Sequence, residues 1–158
     1  MAVAFVTGVT RGIGFAVVQA LIARGDSVVL TGTTEDAALK AEMAVEIAAG
    51  DATRVMGVAC DVRDRGAVRR AVDAAVQRFG GLDILVNNAG VGVGGPIESL
   101  DEAEWDRLID TNLSGVFHCT QAAIPHLKAR GGGWIVNISS LAGKNAFAGG
   151  AAYCATKA

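Results

Sequence analysis

The chain has 158 residues, of which 51% are hydrophobic, 21 are Gly and 2 are Pro, and its formal net charge is −2. That length is one domain's worth and supports a real core, since such a chain buries roughly 68–70% of the surface its unfolded form exposes. The composition excludes disordered and collagen-like chains, and the slight negative charge argues against nucleic acid or an anionic membrane surface as a partner.

Short apolar runs alternate with amphipathic stretches, the pattern of parallel strands covered on both faces by helices. Val3 to Thr7 is a continuous apolar run ending at Gly8, after which Ile13, Val17, Ala20 and Leu21 recur at helical spacing. Ser27 to Thr31 reads as a second strand, Glu35 to Ala49 as an alanine-rich helix and Arg54 to Ala59 as a third strand. A helix with Val68, Val72, Val76 and Phe79 on one stripe follows, then a strand over Asp83 to Val86. Asp101 is an apt N-cap for a long helix reaching about Lys128, and Trp134 to Ile138 gives a fifth strand. Gly131 to Gly133 and the glycines from 90 to 95 read as tight loops. Right-handed crossovers and the glycine turn after strand one predict a single α/β domain over 1–158, a Rossmann-like doubly wound parallel sheet in the order 3-2-1-4-5.

Met1 to Val9 is apolar, but no basic region precedes it and Arg11 interrupts it, so it reads as neither a signal peptide nor a membrane span. The cytoplasm is the expected location. Cys60, Cys119 and Cys154 are odd in number and lack metal-type spacing, which predicts reduced thiols and no metal site. His118 and His126 stand eight residues apart on the long helix without a nearby ligand cluster and read as satisfied or surface histidines; Trp105 and Trp134 read as packing residues.

The first chemical motif is the glycine turn. Gly8, Gly12 and Gly14 follow an apolar strand and open a helix, where the backbone can approach a pyrophosphate met by free amides and the helix dipole. The spacing is Gly-x-x-x-Gly-x-Gly rather than the commoner Gly-x-Gly-x-x-Gly. A tight turn with no ligand would use the same residues.

Further motifs decide between these readings. Thr7-Gly8-x-x-x-Gly12-Ile13-Gly14, Asp61-Val62, Asn87-Asn88-Ala89-Gly90, Asn112, Ser139-Ser140 and Tyr153-x-x-x-Lys157 all resemble, in order, the signatures of the short-chain dehydrogenase/reductase family. The resemblance covers the whole chain and is greatest to bacterial ketoreductases of the 3-oxoacyl-carrier-protein reductase kind. It implies an oxidoreductase that moves a hydride between a nicotinamide and a carbonyl or secondary alcohol, with Asn112, Ser140, Tyr153 and Lys157 as its catalytic residues. The 13-residue step to Tyr153 selects Ser140 over Ser139.

Physical chemistry supports these roles. One helical turn separates Tyr153 from Lys157, so the ammonium can sit close to the phenol or share a ribose hydroxyl with it. A phenol with a pKa of about 10 needs a shift of about three units, or roughly 4 kcal/mol, to be half ionised at neutral pH. An exposed ion pair worth about 0–1 kcal/mol is insufficient, so a partly desolvated pocket is required. In the reductive direction neutral Tyr153 protonates the carbonyl oxygen, and Ser140 holds that oxygen by a hydrogen bond. By the resemblance, the Asn112 backbone binds a water that relays protons to Lys157; the bland alternative for Asn112 is a solvated helix residue.

Cofactor choice turns on the end of strand two, where an NAD enzyme places a carboxylate on the adenosine ribose. By resemblance that position is Gly32, which leaves room for a 2′-phosphate held by Arg11 and Thr33, so NADP is favoured over NAD. Glu35 and Asp36 oppose this but suit the first turn of the next helix. The resemblance implies that Thr10 and Ile13 belong to the phosphate loop. It also implies that Asp61 accepts a hydrogen bond from the adenine amino group, that Val62 packs on the ring, and that Asn88, Ala89 and Gly90 line the ribose and nicotinamide. Tyr153 and Lys157 complete the cofactor contacts, while Asn87 ties adjacent strands together.

In the family, two further strands, the rest of the catalytic helix and a substrate-covering loop follow the Tyr-x-x-x-Lys motif, and the expectation is that this sequence lacks them. The family pairs its long and catalytic helices across a dimer, often within a tetramer, which implies a homo-oligomer for a full-length protein. The partner is a small carbonyl or alcohol whose identity lies beyond Ala158. A nucleotide-binding or interaction module without turnover is the alternative function.

Overall fold

A computed structural model describes residues 1–92 and 94–158, so position 93 of the expected glycine-rich loop over 90–95 lies outside the described residues. Five parallel strands, β1 (Val3–Val6), β2 (Ser27–Gly32), β3 (Val55–Ala59), β4 (Ile84–Asn87) and β5 (Trp134–Asn137), form one sheet in the order β3-β2-β1-β4-β5. The expected order is therefore the observed one, with strand ends shifted by a residue.

Alternation along the strands sorts the core into two layers, because successive side chains leave opposite faces of a pleated strand. Val3, Phe5, Val29 and Leu85 join α3 (Arg65–Phe79) and α5 (Gly115–Ala129) in one buried cluster. Ala4, Val6, Val28, Leu30, Ile84 and Val86 join α1 (Gly12–Ala23) and α2 (Glu35–Ala49) in the other. Both faces of β1, β2 and β4 are dry, and that is why these segments read as unbroken apolar runs.

Side-chain caps fix where three helices start. Thr34 accepts from the Ala37 amide, Asp64 from those of Gly66 and Ala67, and Asp101 from that of Ala103. Gly50 and Gly80 end α2 and α3 in left-handed backbone. By contrast α1 begins after Arg11 without any side-chain cap, leaving its first amides free.

The expected single long helix is broken in register. Helix α4 (Glu102–Ile109) runs into a π turn over Asp110–Ser114 before α5 continues, and the Gly115 amide donates to the Asp110 carbonyl, one residue further back than in an α-helix. Asn112 sits in this turn, buried rather than solvated. The final helix, α6 (Ala151–Lys157), packs against the 3-10 turn over Leu141–Gly143 and against α4.

Strand β5 is exposed along its whole length. Trp134 on it is 74% exposed, which corrects the expectation that it packs; β5 is an edge strand of the sheet, and its side chains lie outside both buried clusters. Trp105 is 39% exposed on α4.

Candidate active site

The glycine turn is shaped by three separate steric demands. Gly8 has φ +69°, and a β-carbon there would lie 2.7 Å from the Ala89 Cα. Gly12 has φ +64° and open space on the side where a β-carbon would stand. Gly14 adopts no special backbone, but a β-carbon would overlap the Asn88 Nδ2 atom. Asn88 uses that amide to donate to the carbonyls of Thr7 (2.9 Å) and Gly8 (2.8 Å), which welds the loop after β4 to the loop after β1. Buried Thr7 reinforces the weld: its Oγ1 accepts from the amides of Asn88 (3.0 Å) and Ala89 (2.9 Å).

A groove of about 540 Å³ opens along these loops at the carboxyl ends of the strands, the position at which doubly wound sheets bind ligands. Gly8, Thr10, Arg11, Gly12, Ile13, Thr33, Asp61, Val62, Asn88, Ala89 and Gly90 all line it. Ile13 is 61% exposed there, although it is large and apolar. Gly14 lies beneath the floor, buried against Asn88. The sequence reading missed Thr31, Arg63, Val91, Arg107 and Thr111, which also line the groove; none belongs to a spaced motif, and only the folding of the chain places them there.

At one end of the groove Asp61 is held by Arg63. The guanidinium donates to both carboxylate oxygens at 2.6–3.1 Å, and the Arg63 amide adds a bond of 3.0 Å. The Arg63 bonds hold the Asp61 carboxyl below the usual carboxylate range, against the opposing effect of burial. Val62 is buried where α5 begins: a β-carbon on Gly115 would come within 2.6 Å of it, and His118 Nδ1 lies 3.0 Å from its carbonyl oxygen. Gly32 at the end of β2 is covered closely by α2, so that a β-carbon would stand 2.7 Å from the Ala38 amide nitrogen.

Beside Gly90, which lines the groove, stands α6. Lys157 is half-buried, and its ammonium donates to the Ile138 carbonyl at 3.0 Å rather than to the Tyr153 phenol; a β-carbon on Gly90 would be 3.2 Å from that ammonium. Burial pushes the Lys157 ammonium below its ordinary pKa. Tyr153, also half-buried, turns its ring edge toward Gly92, where a β-carbon would be 4.0 Å away. Ser140 is the cap of the 3-10 turn, its hydroxyl accepting from the Ala142 amide at 3.2 Å. Ser139 instead donates to the Lys157 carbonyl and so fastens the end of α6.

Asn112 joins the two halves through its side chain. It accepts from the Val91 amide (2.8 Å) and donates to the Val91 carbonyl (2.9 Å) and to Thr156 Oγ1 (3.0 Å). Asn87 donates to Asn137 Oδ1 at 2.8 Å and to Thr120 Oγ1 at 3.2 Å, the strand tie expected of it.

Other reactive groups stand apart from the groove. Burial pushes the Cys60 thiol up to about 11 and the Cys119 thiol up to about 12, so both are protonated at neutral pH, and all three cysteines are free. His126 lies 3.5 Å from Asp73, and no group of three metal-type side chains exists among the described residues. No described helix is long and apolar enough to cross a membrane.

The residues fit a nicotinamide dinucleotide. Free amides at the start of α1, open space over Gly12 and an exposed apolar Ile13 are what a diphosphate flanked by rings requires, and the groove has the volume of a small-molecule site.

Known proteins resemble the chain in sequence and in fold. The chain is 44% identical over 158 residues to the trans-4-hydroxycyclohexanecarboxylate dehydrogenase of Sinomonas cyclohexanicum, covering 98% of this chain and 61% of that protein. It is 39% identical over 157 residues to the 3-oxoacyl-[acyl-carrier-protein] reductase FabG of Staphylococcus aureus, covering 98% and 62%. An alcohol dehydrogenase from the archaeon Thermococcus sibiricus, solved in complex with 5-hydroxy-NADP, superimposes with a TM-score of 0.92 at 31% identity, over 99% of this chain and 66% of that one. The chain thus spans about three fifths of the length of the curated relatives it matches. Residues 2–158 match the family model for short chain dehydrogenases, and the chain belongs to that family.

Proposed function

We propose that this chain carries the nucleotide-binding and proton-transfer parts of an NADP-dependent ketoreductase acting on small carbonyl compounds of the 3-oxoacyl type. The observation that carries the reading is a juxtaposition: Gly90 lines the same groove as Gly8 and Gly12, and a β-carbon on it would stand 3.2 Å from the ammonium of Lys157, which shares α6 with Tyr153. A bound nicotinamide dinucleotide would supply the hydride.

The residues of the chain do the rest. The α1 amides and Gly12 hold the diphosphate, Arg11 and Thr33 take the 2′-phosphate, and Gly32 presents no carboxylate to repel it. Asp61 and Val62 form the adenine end, while Asn88, Ala89 and Gly90 form the ribose and nicotinamide end. Ser140 holds the substrate oxygen with the hydroxyl hydrogen that its acceptor bond from the Ala142 amide leaves available, and Tyr153 delivers the proton to that oxygen. Lys157 keeps a cation beside the ribose and the phenol, and a water on the Asn112 backbone renews the proton. NADP is supported further by the Thermococcus sibiricus relative, and the substrate class by the Staphylococcus aureus relative. A homodimer or tetramer of a full-length protein, located in the cytoplasm, completes the proposal.

Incubation with NADPH and a panel of ketones tests it by loss of NADPH absorbance. Tyr153→Phe should abolish turnover while leaving NADPH affinity within about threefold, a change of less than 1 kcal/mol. Retained turnover in that variant rejects Tyr153 as the acid. Binding of NADPH without absorbance loss in the unmodified chain indicates a nucleotide-binding module instead.

A further inference from the structure

We infer that Thr156 is a positioning residue, whose hydroxyl holds Asn112, and through Asn112 the Val91 backbone, in register with the helix that bears Tyr153 and Lys157. The inference rests on the proposed oxidoreductase reading for its consequence, but on geometry alone for the link. Thr156 is buried, 8% exposed, and its Oγ1 makes two bonds: it accepts from Asn112 Nδ2 at 3.0 Å and donates to the Tyr153 carbonyl at 2.9 Å. Asn112, 4% exposed, spends its remaining amide hydrogen on the Val91 carbonyl and its oxygen on the Val91 amide.

Three segments are therefore tied in series: the Val91 loop of the groove to the Asn112 side chain in the π turn, and Asn112 to α6 through the Thr156 hydroxyl. A buried amide hydrogen without an acceptor is costly, so the network has one low-energy arrangement while the hydroxyl is present. The methyl of Thr156 contributes packing that Val would retain. The hydroxyl contributes the link, which Val would remove and Ser would keep. Because Lys157 is the next residue and its ammonium stands beside Gly90, a slip of α6 against the Val91 segment moves the cation relative to the nicotinamide end of the groove.

Amide hydrogen exchange in the full chain tests the link. In Thr156→Val the Val91 amide should exchange about tenfold faster than in the unmodified chain, the shift expected for loss of one buried hydrogen bond, while Leu85 in β4 is unchanged. Thr156→Ser should restore Val91 protection to within about twofold. Unaltered Val91 exchange in the Val variant, or failure of Ser to rescue, overturns the inference. If the Val variant does not fold, the unmodified chain decides: a side-chain amide proton of Asn112 should be protected from solvent, and exchange of both at the rate of a free amide overturns it. With NADPH and a ketone substrate, the Val variant should lose about tenfold in kcat at a KM within about threefold, and the Ser variant should recover it. A Val variant with unchanged kcat overturns the inference. An unmodified chain that oxidises no NADPH overturns the oxidoreductase reading, and Val91 exchange still decides the link.

Discussion

Asp61 and Arg63 show how a single residue pair sets the charge state at one end of the groove. Their side chains are 30% and 50% exposed, so the pair belongs to the class worth about 0–1 kcal/mol. Arg63 lowers the folded-state pKa of Asp61 below its ordinary value of 3.8. The stabilisation is thus fully present above about 3.8, the unfolded value, and is lost as pH falls through the lower folded value, because the unfolded chain takes up its proton first. Asp61→Asn should accordingly lower stability slightly at neutral pH, by less than about 1 kcal/mol, and the difference from the parent should vanish in acid below both values. Urea denaturation at a series of pH values measures this; a constant difference down to strong acid would assign the loss to something other than the charge.

At the scale of elements, α6 is held at Lys157 by a close approach together with a side-chain bond. A β-carbon on Gly143 would overlap the Lys157 carbonyl, which is backbone and cannot rotate away, while Ser139 donates to the same carbonyl. Gly143→Ala should therefore displace α6 and lower kcat/KM by about tenfold or more, with cofactor affinity less affected because the glycine turn is remote from the change. Steady-state kinetics beside an NADPH titration separates the two effects; equal losses in both would place Gly143 in general folding.

Much of this was legible in the sequence, and the exceptions have physical causes. The interior strands showed as apolar runs because two faces are buried, and Asp101 was readable as a cap because local hydrogen bonding alone decides a helix start; Thr34 and Asp64 cap their helices in the same way and were not read as caps. The π turn left no such mark: an added residue in a helix alters the register of its backbone bonds without changing the apolar period enough to be read. Asn112 was identified from a family pattern as a backbone contributor, yet its side chain is what the fold uses, since its partners Val91 and Thr156 lie 21 and 44 residues away. The Asp61–Arg63 pair was equally hidden, because a carboxylate two residues before an arginine is common in any loop.

Across the whole molecule, burial is uneven. The interior strands are dry on both faces, whereas Trp134, Ile135 and Val136 of β5 and a stripe of Leu113, Phe117 and Ile124 along the π turn and α5 stand in solvent. Exposed apolar surface of this extent and an uncovered strand edge favour association. The chain is expected to self-associate, and Phe117→Asp to shift it toward monomer without loss of helical circular dichroism; sedimentation equilibrium that is identical for both would remove this stripe as an interface.

The groove itself gives the most direct measurement. Titration of the chain with NADPH and with NADH, followed by nucleotide fluorescence, should show saturable NADPH binding at one site per chain, tighter than NADH by about tenfold or more through the charge-assisted bonds of Arg11 to the 2′-phosphate. A flat response to both nucleotides would contradict dinucleotide binding at the glycine turn and, with it, the proposed hydride transfer.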